Sequence, residues 1–226
     1  MSNAELACRK TPPAGAPLLI LRRFAPLPPR ILMIGASTGG PQALAEVLRD
    51  ASEWLRQLPI VVVLHAPADF IPLVAASLAI QARMPARVAQ NGERLVAGTI
   101  YFAPGDRHLR VMKANDNTRV LVYSDAEAQN SCKPAVDVLF RSGARTFGPE
   151  ALGVVLTGMG RDGLKGAQDI AEAGGNIIVQ DEATSAVWGM PGAVAREGLA
   201  SAILPVDGIA SAIGGLVVSS RRNGRE

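Results

Sequence analysis

Cysteine and histidine are both scarce: the 226-residue chain holds two of each. Two cysteines, Cys8 and Cys132, exclude a disulfide framework and point to a reducing compartment. With His65 and His108 as the whole histidine complement, no metal-ligand cluster is visible from spacing. Aromatic residues make up only 4% of the chain, and no basic stripe interleaved with aromatics runs through it, so nucleic-acid binding gains no support. The net charge of +3 is a property of the ends. Residues 1–30 and 221–226 carry a balance of +6, whereas 31–220 carry −3. Long apolar runs are also missing. Charge-free stretches such as 70–82 are too short to span a bilayer as a helix, and Arg22 and Arg23 interrupt the N-terminal apolar run where a signal-peptide core would lie. These absences lead to the expectation of a cytoplasmic protein without membrane insertion, metal or cofactor.

What is present is alanine, valine, leucine and glycine, with 23 glycines and 48% apolar residues. That composition suits helices packed closely on a mostly parallel sheet. Residues 1–30 hold six prolines and read as a linker or disordered leader. From Ile31 strands and helices alternate. The pattern predicts strands at 31–36, 60–65, 151–157, 176–180 and 202–204, and helices at 41–56, 69–82, 134–146, 164–173, 191–197 and 208–218. Between Arg87 and Tyr123, short strand-like runs at 99–103, 109–114 and 119–123 are broken by Pro104-Gly105-Asp106 and Asn115-Asp116-Asn117. Those turn signals predict an antiparallel hairpin or meander on the sheet edge. The expected fold is a single-domain α/β structure over 31–220: a doubly wound, mostly parallel sheet with an antiparallel hairpin insertion and a basic tail at 221–226.

In such sheets, chemistry gathers at the carboxyl ends of the strands. Gly35-Ala36-Ser37-Thr38-Gly39-Gly40 follows the first strand and opens a helix, with Pro41 suited to the first helical turn. Ser37 at the apex would be exposed beside free helix N–H groups, the combination that acyl transfer requires; the same residue would also serve as a simple N-cap. His65 ends the second strand on the same rim, whereas His108 lies in the antiparallel segment, so His65 is the better general base. Asp162 follows the strand at 151–157 in Gly158-Met159-Gly160-Arg161-Asp162-Gly163. It fits either the carboxylate that orients the imidazole or a helix N-cap, and sequence does not separate these roles. A rival reading takes Gly158-x-Gly160-x-x-Gly163, with Asp181 downstream, as a dinucleotide-binding fingerprint of an oxidoreductase. Against it, Asp162 would repel a pyrophosphate.

Taken together, Gly35–Pro41, His65-x-Pro67-x-x-Phe70, Ala103-Pro104-Gly105-Asp106-x-His108, Pro134-x-Val136-Asp137-x-Leu139-Phe140, Leu156–Gly163 and Gly189-Met190-Pro191 resemble the catalytic domain of CheB-type chemotaxis protein-glutamate methylesterases. The resemblance covers residues 31–218. It implies a Ser37–His65–Asp162 triad, with oxyanion donors at the backbone N–H groups near Thr38 and Met159. It further implies hydrolysis of glutamyl γ-methyl esters on chemoreceptor cytoplasmic domains, in some members with glutamine deamidation. The chain departs from the family pattern at Ala66, where methionine is common, at Cys132-Lys133, where His-Arg is common, and at Arg161, where a small polar residue is common. Family members usually carry an N-terminal phospho-receiver domain, which thirty residues cannot form. The resemblance therefore implies either an excised catalytic domain, with the receiver in cis in the full-length protein, or a stand-alone relative controlled in trans. A catalytically idle receptor-docking module is the remaining alternative.

Overall fold

A computed structural model describes residues 19–49 and 54–223. The strands are β1 (Ile31–Ala36), β2 (Ile60–Leu64), β3 (Ala86–Val88), β4 (Glu93–Arg94), β5 (Ile100–Phe102), β6 (His108–Lys113), β7 (Arg119–Ser124), β8 (Ala151–Val155), β9 (Asn176–Gln180) and β10 (Ala202–Leu204). The helices are α1 (Gly40–Leu48), α2 (Ile71–Ala82), α3 (Val136–Phe147), α4 (Leu164–Glu172), α5 (Met190–Arg196) and α6 (Val206–Asn223). Seven strands form one sheet in the order β10-β9-β8-β1-β2-β5-β3, and every pairing in it is parallel.

The buried strands carry almost unbroken apolar sequence because both faces are covered. Along β1, Leu32, Ile34 and Ala36 point into a core shared with Leu44, Leu78 and Ile213, from α1, α2 and α6. Ile31 and Met33 point to the opposite core, shared with Phe140, Ile170 and Val194, from α3, α4 and α5. The doubly wound α/β reading therefore holds.

Two local expectations are corrected. Residues 100–102 do not join the antiparallel segment: β5 pairs in parallel with both β2 and β3 inside the main sheet. Its Ile-Tyr-Phe sequence is wholly buried, the mark of an interior strand. The antiparallel element is a separate three-stranded sheet, β4-β7-β6, whose Leu109, Val111 and Leu121 join the α3 side of the core. The helix expected over 41–56 ends at Leu48, and Leu55–Gln57 forms a separate 3₁₀ turn; residues 50–53 lie outside the described residues.

The linker reading of 1–30 falls partly outside the described residues, at 1–18. Residues 19–30 have no regular structure, yet they are tied down. The Arg22 guanidinium donates to the carbonyls of Ala171 and Gly175, at and just past the C-terminal end of α4, where a cation also meets the helix dipole favourably. The Ala25 N–H donates to Asn176 Oδ1.

Close backbone approach sets the rim that carries His65. A β-carbon at Gly105 would lie 2.3 Å from Ala68 Cα and 2.9 Å from Ala68 N, so the Pro104-Gly105-Asp106 turn packs directly on the segment after β2. Gly105→Ala is expected to cost about 1–3 kcal/mol of stability, the usual range for overpacking, read as a lower denaturant midpoint with unchanged slope.

Candidate active site

The order of strands reverses between β1 and β8, so the crevice beyond their carboxyl ends is where a ligand is expected. Ser37 and His65 each stand one residue past the last paired position, Ala36 opposite Leu64. The His65 N–H donates to Ala36 O at 3.0 Å, and the Ser37 N–H to Thr157 O at 3.0 Å. Pairing thus continues beyond the strands and brings serine, histidine and the loop after β8 onto one rim.

Close packing fixes that rim. A β-carbon at Gly158 would lie 2.7 Å from Ser37 Cβ and 2.5 Å from Met190 Sδ. One at Gly189 would fall 2.7 Å from Gly158 O, and the N–H groups of Gly189 and Met190 both donate to that oxygen. The Thr157 hydroxyl donates to Thr38 O at 2.9 Å, pinning the turn after Ser37. Gly39 adopts φ 76° at the start of α1, a conformation open chiefly to glycine.

Asp162 is only 2% exposed, and His65 16%. Asp162 Oδ2 lies 2.9 Å from His65 Nε2 and accepts the Val136 N–H at 2.7 Å. Oδ1 accepts the N–H groups of Asp137 at 3.1 Å and Gly163 at 2.9 Å. Val136 and Asp137 open α3. The carboxylate therefore caps a helix from outside, where the dipole favours an anion, while it orients the imidazole. Asp162 thus lies beside His65 and closes the start of α3; the helix that follows it, α4, has Gly163 at its N-cap and no side-chain cap, so the N-cap expected of Asp162 falls on a different helix.

With Asp162 on Nε2, the ring nitrogen left free of the carboxylate is Nδ1. Cys132 Sγ lies 3.9 Å from it. Among the described residues no hydrogen bond joins Ser37 Oγ to the ring, a looseness common where no substrate is bound. Cys132 is placed by a tight turn in which Asn130 and Ser131 have φ 50° and 61° and Gln129 and Cys132 exchange backbone hydrogen bonds. Burial pushes the Cys132 thiol up, helped by the charges of Asp162 and Asp137. Neither the turn nor this cysteine was flagged by spacing. His65, Cys132 and Asp162 each bring a ligand atom within 4.8 Å of the others, a grouping that positions so far apart in the chain conceal.

The remaining expected residues divide. The N–H groups of Thr38 and Met159 have no partner among the described residues, and the Met159 side chain is 75% exposed. His108 is wholly buried: its Nδ1 accepts the Ala135 N–H and its Nε2 donates to Glu127 O, so it ties β6 to the start of α3. The Gly158-x-Gly160-x-x-Gly163 loop does not offer a pyrophosphate site. The Gly163 N–H is held by Asp162 and the Gly166 N–H by Asp137, while Asp181 Oδ1 is engaged by the Thr184 N–H and hydroxyl.

Asp137, fully buried, accepts from Asn130 Nδ2 at 2.7 Å and Gly166 N–H at 2.8 Å. Burial, reinforced by the neighbouring Asp162 charge, raises its carboxyl above the ordinary 3.8. The native state then holds this proton more tightly than the unfolded chain, so Asp137 lowers stability as pH climbs from about 4 through its raised value. Asp137→Asn removes that slope. Urea midpoints measured from pH 4 upward are expected to shift in the variant's favour relative to wild type, then level off. A difference that shrinks with pH would contradict the assignment.

The chain is similar to known proteins over most of its length. The CheB methylesterase family model matches residues 32–213. A protein-glutamate methylesterase/protein-glutamine glutaminase of Rhodopseudomonas palustris is 47% identical over 191 residues, covering 84% of this chain and 49% of that protein. A protein of the same description from Bradyrhizobium diazoefficiens is 41% identical over 226 residues, covering 97% and 57%. The chain thus spans about half the length of the curated relatives it matches. The crystal structure of the Thermotoga maritima CheB methylesterase catalytic domain superposes with a TM-score of 0.78 at 34% identity, covering 82% of this chain and 97% of that one.

Proposed function

The chain belongs to the CheB methylesterase family, and from that premise we propose that it is a serine hydrolase acting on glutamyl γ-methyl esters of chemoreceptor cytoplasmic domains. The observation that carries the reading is the 2.9 Å pair between His65 Nε2 and the buried Asp162, on the rim where Ser37 leaves the neighbouring strand. In this mechanism His65 Nδ1 takes the Ser37 proton as Oγ attacks the ester carbonyl. Asp162 keeps the second ring proton on Nε2 and stabilises the imidazolium. The N–H groups of Thr38 and Met159, without a partner among the described residues, receive the developing oxyanion. The imidazolium returns its proton to the departing methoxide, releasing methanol, and water then cleaves the acyl-enzyme to restore serine and glutamate.

Glutamine side chains enter by the same acyl-enzyme with ammonia as the leaving group, which accords with the second activity in the relatives' names. The reaction takes place in the cytoplasm; no described helix is long and apolar enough to cross a membrane. A phospho-receiver domain, in cis or in trans, is the further partner that the family resemblance implies.

Methanol release from methylated chemoreceptor cytoplasmic fragments tests the reading. Ser37→Ala and His65→Ala are each expected to lower turnover by about 10⁴-fold or more, because triad members act as a unit. Asp162→Asn should lose less, since serine and base remain. Full methanol release by Ser37→Ala would remove the hydrolase reading. Receptor binding without release by wild type would favour the idle docking module.

A further inference from the structure

We propose that Cys132 and His65 form a Zn²⁺ site that reversibly blocks the catalytic base. The clause about blocking rests on the hydrolase reading above; the metal site itself rests on geometry alone. Cys132 Sγ faces His65 Nδ1 at 3.9 Å. With Zn–S about 2.3 Å and Zn–N about 2.0–2.1 Å at a tetrahedral angle, two such ligand atoms lie about 3.6 Å apart. The observed separation is within a few tenths of an ångström of that value. Movement of one half-buried cysteine side chain closes the difference.

Asp162 belongs to the same cluster, but its role there is different. Its four lone-pair directions are already engaged by the N–H groups of Val136, Asp137 and Gly163 and by His65 Nε2, and a carboxylate has about four to give. It is therefore no direct ligand. It holds the Nε2 proton and so fixes the tautomer in which Nδ1 presents its lone pair, the arrangement in which a carboxylate backs a metal-binding histidine. Thiolate with imidazole selects a borderline ion such as Zn²⁺ over Mg²⁺ or Ca²⁺, which require oxygen donors. Both ligands are partly exposed, so solvent can reach the ion and complete its coordination.

The step balances simply. The Sγ–H bond breaks, its proton leaves to solvent, and Zn–S and Zn–N bonds form with no change of oxidation state. Once bound, the ion occupies the Nδ1 lone pair that would otherwise accept the Ser37 proton. Hydrolysis stops until the metal is removed.

The test measures Zn²⁺ binding by competition with a chromophoric chelator, and Co²⁺ binding by its thiolate charge-transfer absorption, on the whole chain. Wild type is expected to bind one ion. Cys132→Ala and, independently, His65→Gln are each expected to weaken binding by at least about 10-fold, no less than the loss of an outer partner costs a metal site. Co²⁺ should show the charge-transfer band in wild type and none in Cys132→Ala. In the methanol-release assay Zn²⁺ should inhibit wild type reversibly on chelation, while Cys132→Ala retains basal activity and loses the sensitivity. Zn²⁺ affinity unchanged by Cys132→Ala, or no Co²⁺–thiolate band in wild type, overturns the site. Cysteine-dependent binding in a chain that releases no methanol would keep the site and remove the hydrolase reading, so the two failures are distinguishable.

Discussion

The arrangement at the strand ends depends on the carboxylate of Asp162. It is nearly sealed from solvent and engaged on both oxygens by three N–H groups and one imidazole nitrogen. A charge so buried is tolerated only when its hydrogen bonds are complete. Completing them requires α3 to start at Val136, the loop after β8 to fold inward, and His65 to present Nε2. Three segments distant in sequence are thereby held to one atom pair. The same constraint decides which ring nitrogen is left free of the carboxylate: Nε2 faces Asp162 and Nδ1 does not.

Around that carboxylate the rim is built by close contact. Ser37, Gly158 and Met190 meet at distances that leave no room for an extra methyl group, and the Thr157 hydroxyl joins the turns after β1 and β8. Serine therefore sits on a turn buttressed from two sides, while the N–H groups of Thr38 and Met159 have no partner among the described residues. A rigid serine beside uncommitted donors is what an acyl-transfer site requires of its scaffold. His108, the other histidine, is spent on architecture: it couples β6 to the residue before α3.

Much of this was legible beforehand. The apolar runs of β1, β2, β8 and β9 and the glycine-rich turns after β1 and β8 identified a parallel sheet and the carboxyl edge where Ser37, His65 and Asp162 lie. Placing His65, rather than His108, at that edge followed from the same logic. The short strands of the 86–124 region misled, because three apolar residues such as Ile100–Phe102 look alike whether they pair in parallel or antiparallel; burial on both faces distinguishes them, and that depends on what packs above. Helix α1 stops at Leu48 although the apolar pattern runs on. Cys132 and Asp137 were hidden for another reason. Their importance comes from a tight turn at Asn130-Ser131 and from a helix start that only the folded chain brings beside Asp162.

The most direct measurement is the tautomer of the His65 ring, read by long-range ¹H–¹⁵N correlation on histidine-labelled protein with His65→Gln to assign the signals. The account predicts that neutral His65 carries its proton on Nε2, held by Asp162, with Nδ1 bare. A proton on Nδ1, with Nε2 unprotonated, would contradict it.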